Sequence, residues 1–353
     1  MTFKPTPGIA ETPISTDPRL ELLNDWLTRD LTFGAERIAP ASEDASFRRY
    51  FRIWRDGETF IVMDAPPEKQ ELTSYLNIAG MLAAIGVHVP RILAEDHARG
   101  FLLVTDLGTR QYLDDLAIDQ HVESHYLDAM MALGRIQSRG HESAERLPPY
   151  DRKLLEREMN LMPEWFCERH LKLELGGAEH DLLANAFDAL ASAALAQPQV
   201  LVHRDYHSRN LMVCPGDNPG ILDFQDAVYG PVTYDPVSLF KDCYVGWPPD
   251  RVRGWVLRYR EMAAAAGVDV GASELEFIRW FDLMGAQRHL KVLGIFARLC
   301  HRDGKRGYLD DLPLTLSYVL DICPLYAELA PLGQFLSKRV APILAARIAE
   351  ARA

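Results

Sequence analysis

The chain has 353 residues, 48% of them hydrophobic, and its 38 basic against 50 acidic side chains leave a formal charge of −12. The length predicts two lobes rather than one small domain, and the acidic balance argues against a nucleic-acid backbone or an anionic membrane surface as partner. The five cysteines, Cys167, Cys214, Cys243, Cys300 and Cys323, include no C-x-x-C pair, which argues against zinc or thioredoxin-like chemistry and for reduced thiols.

Residues 1–17 are polar and Pro-rich, lack an apolar signal core, and are expected to form a flexible arm. No uncharged run is long enough to cross a bilayer, so a cytoplasmic protein with no membrane partner is expected. Residues 18–30 show helical spacing, from Leu20, Leu22 and Leu23 to Trp26 and Leu27. Residues 36–64 switch to strand character, with a hairpin signal at Asp56-Gly57 and a strand at Phe60-Ile61-Val62-Met63. A helix is predicted from Glu71 to Ile85, stopping at Gly86. Strands follow at Val87–Leu93 and Gly100–Val104, ending at Thr105-Asp106-Leu107-Gly108. These elements make residues 18–106 a β-rich lobe of α+β type. Residues 107–353 read as a mainly helical lobe, with helices at 121–139, 151–171, 178–196, 251–266, 274–300 and 309–329. Strand-like interruptions lie at Leu201-Val202, Leu211-Met212-Val213 and Gly220-Ile221-Leu222.

Those interruptions frame the chemistry. His203-Arg204-Asp205 and Asn210 form H-R-D-x-x-x-x-N, and Leu222-Asp223-Phe224-Gln225 supplies D-F-x. Phosphoryl transfer from a nucleotide needs one carboxylate for the attacking hydroxyl and oxygen ligands for the Mg²⁺ that bridges the phosphates. Asp205 suits the first role, and Asn210 with Asp223 suits the second. His203 is expected to pin the loop rather than move protons. Asp, Asn and His are also turn formers, but the order, the spacing and the flanking apolar strands favour catalysis.

His203 to Asn210 with Asp223 resembles the aminoglycoside phosphotransferase and choline kinase branch of the protein-kinase-like fold. Gly230-Pro231-Val232-Thr233-Tyr234-Asp235-Pro236 strengthens the likeness, since no A-P-E follows and the stretch from Asp223 is too short for an activation loop. The resemblance implies a bilobal fold, ATP and Mg²⁺ as cofactors, and a bracing role for Asp235 beneath the catalytic loop. The sequence departs from the kinase pattern in two places. No glycine-rich loop is present; Pro40 to Ser46 stands there, and Ser42 and Ser46 are candidate phosphate donors. The third-strand lysine is missing from Val62-Met63-Asp64, leaving Arg48, Arg49 or Lys69 as candidate cations. Thr105 and Leu107 occupy the adenine-side linker, and Val62, Leu103 and Leu222 are candidate apolar walls.

At the substrate end, Arg288, His289 and Lys291 cluster on one predicted helix with Trp280, and Trp165 offers a second aromatic face for a sugar ring. Gln225 and Asp226 follow the metal aspartate directly. Each of these also reads as core or solvated surface. Asp44–Arg52, Val62–Glu68, Gln287–Leu299 and Arg302–Lys305 resemble the bacterial cell-wall-recycling group of this family, the kinases of N-acetylmuramate and N-acetylglucosamine. That resemblance implies an amino-sugar substrate phosphorylated at its C1 hydroxyl. A kinase of another small alcohol or of an aminoglycoside, and an inactive nucleotide-binding scaffold, are the competing expectations.

Overall fold

The computed structural model describes residues 17–42, 48–68, 72–140 and 146–352. It divides into two compact units: the chain up to Leu72 with Arg91–Asp106, and Thr73–Pro90 with Leu107 onward. The division differs from the expected 18–106 lobe in one segment, Thr73–Pro90. Helix α2 (Thr73–Ala84) shows why. Ser74 Oγ donates to the Gln225 carbonyl at 2.6 Å, and the Tyr75 ring packs on Phe224 at 4.8 Å. Both anchors lie in the second unit. The expected flexible arm falls almost wholly outside the described residues.

The first unit is built on a five-stranded antiparallel sheet in the order β1-β2-β3-β5-β4. The strands are β1 (Arg37–Ser42), β2 (Arg49–Arg55), β3 (Glu58–Asp64), β4 (Ile92–Asp96) and β5 (Phe101–Thr105). The β2–β3 turn has positive φ at Asp56 (52°) and Gly57 (80°), the handedness that matches strand twist in a two-residue hairpin. Alternation then sorts the side chains. Phe51, Ile53, Val62, Phe101 and Leu103 share one face and pack on Leu23, Trp26 and Leu27. Those three belong to α1 (Pro18–Asp25) and the wider helical turn that continues it. Asp17 caps α1 by accepting from the amides of Arg19 and Leu20.

Asp64 ends β3 on that same face and is fully buried. Arg19 Nε reaches its Oδ1 at 3.0 Å and Arg49 Nε its Oδ2 at 2.9 Å, while Arg49 also bonds Asp17. A buried carboxylate needs such partners to stay charged. The strand expected from Val87 begins only at Ile92. The carbonyl of His88 accepts instead from the Ile221 amide at 2.8 Å, both residues lying in the second unit.

In the second unit, α3 (Tyr112–Asp115), α4 (Asp119–Arg139), α5 (Arg152–Met159) and α6 (Gly177–Leu195) precede four short strands. Strand β6 (Gln199–Val202) pairs with β9 (Val228–Pro231), and β7 (Leu211–Met212) with β8 (Gly220–Ile221), all antiparallel. Helices α7 (Tyr234–Phe240), α8 (Pro249–Ala265), α9 (Glu274–Asp303) and α10 (Leu312–Ile322) follow. The helix expected over 309–329 breaks at Cys323-Pro324, as a helix-incompatible proline dictates. Two further helices, α11 (Ala330–Phe335) and α12 (Ala341–Arg352), close the chain.

Helix α9 is the axis of this unit. Its 30 residues include an unbroken buried run from Phe281 to Gly294. It packs against α6, α7, α10 and the helical turn Met162–His170. Gly294 lies so close to that turn that an added Cβ would sit 2.3 Å from the Leu161 carbonyl carbon. Gly294→Ala is therefore expected to destabilise the fold by about 1–3 kcal/mol, the range for overpacking. Chemical denaturation checks this; an unchanged midpoint would mean the helix can shift without cost.

Candidate active site

Strand β6 delivers His203 and α7 delivers Asp235 to the same point. The His203 amide donates to Asp235 Oδ2 at 2.7 Å and the Arg204 amide to Oδ1 at 2.9 Å. Two consecutive amides converging on one carboxylate require a sharp turn. Arg204 adopts φ of +79°, a left-handed conformation that a side chain resists by roughly 1–2 kcal/mol. Burial pushes the His203 imidazole down to about 4, so it is neutral. Its Nδ1 accepts the Asp205 amide at 3.3 Å, which puts the ring proton on Nε2. Farther along the loop, Asp242 Oδ2 accepts from both the amide and the hydroxyl of Ser208, at 3.0 and 2.5 Å.

This scaffold holds the backbone of Asp205 and leaves its side chain open. Among the described residues nothing donates a hydrogen bond to the Asp205 carboxylate. Asn210 Nδ2 donates to the Asp205 carbonyl at 2.9 Å and lies 3.5 Å from Asp223 Oδ2. The amide is thereby oriented with its oxygen available as an acceptor. Asp223 also takes a left-handed φ, +62°, and its Oδ1 accepts from Gln225 Nε2 at 2.6 Å. Left-handed non-glycine residues concentrate where function compensates strain. The residues expected for base and metal roles thus stand together. The side-chain oxygens of Asn210 and Asp223 are hard donors suited to Mg²⁺.

A buried charge network sets the electrostatics. Lys291 Nζ, from α9, lies 2.9 Å from the Tyr234 hydroxyl and 3.2 Å from Glu158 Oε2. Glu158 also accepts from the Tyr150 hydroxyl and the Arg204 guanidinium. Burial pushes the Glu158 carboxyl up, but Lys291 and then Arg204 outweigh it and hold it below the ordinary range. Asp205 follows the same pattern. Burial raises it, and Lys291 foremost, then His207 and Arg204, bring it below its usual value.

The remaining candidates separate cleanly. Arg288 is buried with its Nε unpartnered and its Nη1 3.6 Å from Cys243 Sγ. Beside it, Gln287 is fully buried with neither amide atom hydrogen-bonded. His289 bonds the Lys241 carbonyl through Nε2 at 2.9 Å and packs on Tyr318, as a core residue does. Trp165 stacks on Arg169, and Trp280 lies against Gly271, so neither contact reaches Asp205, Asn210 or Asp223. Asp226 is exposed and contributes only its carbonyl, to Arg204.

In the first unit, Arg49 is committed to Asp64 and Asp17 on the helix-packed face. Arg48 is buried just before β2. Arg52, on the opposite face, pairs with Asp106 at 2.5 Å. Val62 and Leu103 belong to the core over α1 rather than to an open wall. Thr105 Oγ1 accepts the Arg91 amide, and the carbonyl of Leu107, in the second unit, accepts from Cys214 Sγ. The side chain of Ser42, and Ser46 and Lys69, lie outside the described residues.

Sequence reasoning missed Glu158, Tyr150 and Tyr234. Glu158 did leave a signal, because it falls on the apolar stripe of α5 with Leu155 and Met159, all buried.

Residues 37–272 match the profile described as "Phosphotransferase enzyme family". The chain belongs to that family. It is 47% identical over 332 residues, covering 91% of this chain and 97% of the relative, to the N-acetylmuramate/N-acetylglucosamine kinase of Pseudomonas putida. It is 44% identical to the protein of the same name from Neisseria meningitidis, covering 90% and 95% of the two chains. Among solved structures, choline kinase LicA from Streptococcus pneumoniae superposes with a TM-score of 0.62 at 9% identity, covering 86% of this chain and all (100%) of that one. The ADP-bound aminoglycoside phosphotransferase APH(2'')-Ib gives 0.57 at 12% identity, over 86% and 98%. The α+β, protein-kinase-like fold expected from the sequence is the fold observed.

The depressed Glu158 value fixes the sign of its pH dependence. Its contribution to stability is complete above the ordinary value of 4.5 and is lost as pH falls through the folded value. Glu158→Gln is expected to cost about 3–5 kcal/mol at neutral pH, as breaking a buried pair does, and to flatten the acid limb of stability. Denaturation midpoints across pH measure both.

Proposed function

We propose that this chain transfers the γ-phosphoryl group of ATP to the anomeric C1 hydroxyl of N-acetylmuramate and N-acetylglucosamine. The product is the sugar α-1-phosphate, formed during recycling of bacterial cell-wall sugars and ready for a nucleotidyltransferase. The observation that carries this reading is the 44–47% identity, over about 90% of the chain, to relatives named for those two sugars. The open Asp205 carboxylate is the chemical counterpart.

Asp205 orients the sugar hydroxyl and accepts its proton. A carboxylate held below its usual value is a weak base, which suits a hemiacetal hydroxyl, more acidic than an ordinary alcohol, and a proton that leaves late. Asn210 and Asp223 would hold Mg²⁺, which when bound supplies positive charge to the phosphates. His203 and Asp235 keep the loop in register, so the work is mainly positioning and charge placement. The buried cations Lys291 and Arg288 favour a neutral or anionic ligand over a polycationic aminoglycoside. Gln287 and Arg288 supply unpartnered polar atoms suited to a sugar substituent. The setting is cytoplasmic, where ATP is available; all five cysteines are unpaired, and no described helix is long and apolar enough to cross a membrane.

Incubation with Mg-ATP and either sugar, followed by phosphorus NMR, is expected to give an α-configured C1 phosphate. A C6 phosphate, or none, overturns the reading. Asp205→Asn should lower turnover by about 10²–10⁴; undiminished turnover would remove Asp205 from its role. Lys291→Met removes the leading influence that depresses Asp205. The acid limb of kcat/KM should therefore move to higher pH, and a static limb would show that Lys291 does not set the charge of the base.

A further inference from the structure

A second cluster of ligating side chains lies away from the phosphoryl-transfer residues. His121 and His125 are four apart on α4 and project toward Asp115 at the end of α3. His125 Nε2 lies 3.0 Å and His121 Nδ1 3.4 Å from the same oxygen, Asp115 Oδ2. One ligating atom from each residue falls within 4.8 Å of the other two. Ligands bound to zinc at about 2.0–2.1 Å in tetrahedral array stand roughly 3.4 Å apart, so the observed spacing is close to a coordination shell. His121 Nδ1 is buried and makes no hydrogen bond. A shared cation would satisfy it, and a bound ion is a standard partner for such an orphan.

The outer contacts fit as well. Arg110 Nε lies 3.0 Å from Asp115 Oδ1, and its Nη2 donates to Oδ2 at 3.0 Å. The first contact orients the carboxylate as outer partners of metal ligands do. The second is the one a metal on Oδ2 would displace. Tyr112 stacks on His125 at 4.5 Å and fixes that ring.

We propose that Asp115, His121 and His125 form a zinc-type metal site with one position open to water, pinning α3 to α4. Two imidazoles and one carboxylate select zinc over Mg²⁺ or Ca²⁺, which prefer all-oxygen shells. The cysteine spacing that argued against zinc does not bear on a histidine–carboxylate site. The location has reach. The Leu113 amide of α3 bonds the Ser208 carbonyl, and the Val213 amide, just past β7, bonds the Arg110 carbonyl, so α3 and the residues before it are stitched to the catalytic loop and the end of β7.

The test uses the metal-free, untagged full chain titrated with zinc chloride against a chromophoric chelator. Excess Mg²⁺ in the buffer occupies Asn210 and Asp223. One zinc per chain is expected, lost in the His121→Ala/His125→Ala double variant. Loss of an outer partner already costs about 10–100-fold in affinity, so each single variant should lose at least tenfold. Cobalt(II) in place of zinc should show tetrahedral visible bands that the double variant lacks. Circular dichroism confirms that the variants fold; if the double variant does not, His121→Asn, at the more exposed ligand, repeats the comparison. Absence of binding, or full stoichiometry in the double variant, overturns the site.

Discussion

The carboxylate of Asp235 accepts the amides of His203 and Arg204 in succession, and the active loop hangs from that pair of bonds. Without it, two buried amides would lack acceptors, at about 1–3 kcal/mol each, and the left-handed turn at Arg204 would relax. With it, His203 presents Nδ1 to the next amide, and Asp205 leaves the turn with its side chain uncommitted. The loop is thus specified through its backbone. Such a scaffold suits the base role proposed for Asp205, because every bond to the carboxylate itself would compete with substrate.

Charge is the second constraint. Asp205, Glu158, Arg204, Lys291 and Arg288 are packed together in a protein interior where isolated ions are costly. Each survives because a neighbour of opposite sign is near. Glu158 joins Arg204 of the loop to Lys291 of α9. The same residue that strains its backbone at φ of +79° therefore also secures the network with its side chain. A glycine at position 204 would ease the turn and lose the bridge to Glu158.

The sequence carried the proposed catalytic triplet in plain view because Asp205, Asn210 and Asp223 are close in the chain and flanked by apolar strands. Most secondary elements were legible for the same local reasons, including the Asp56-Gly57 hairpin and α9. What was not legible depended on distant partners. Arg49 read as a free cation because Asp17 and Asp64 meet it only in the folded sheet. Val62 and Leu103 read as possible walls because alternation alone cannot say which face meets α1. His289 and Lys291 looked equivalent on one helix, yet one packs on Tyr318 and the other enters the charge network. The strand expected over Val87–Leu93 starts only at Ile92, because the His88 carbonyl is taken by Ile221.

Helix α9 has a consequence for how the protein is made. It supplies Lys291, Arg288 and Gln287, and it lies well after the catalytic loop in chain order. A ribosome therefore releases His203 to Asp223 before the helix that completes their electrostatic surroundings. Until α9 docks, Glu158 has Arg204 and Tyr150 but not Lys291, and Asp205 lacks its leading counter-charge. Contacts of such long sequence separation are the slow ones to form. The electrostatic surroundings of Asp205 are thus complete only when α9 is in place.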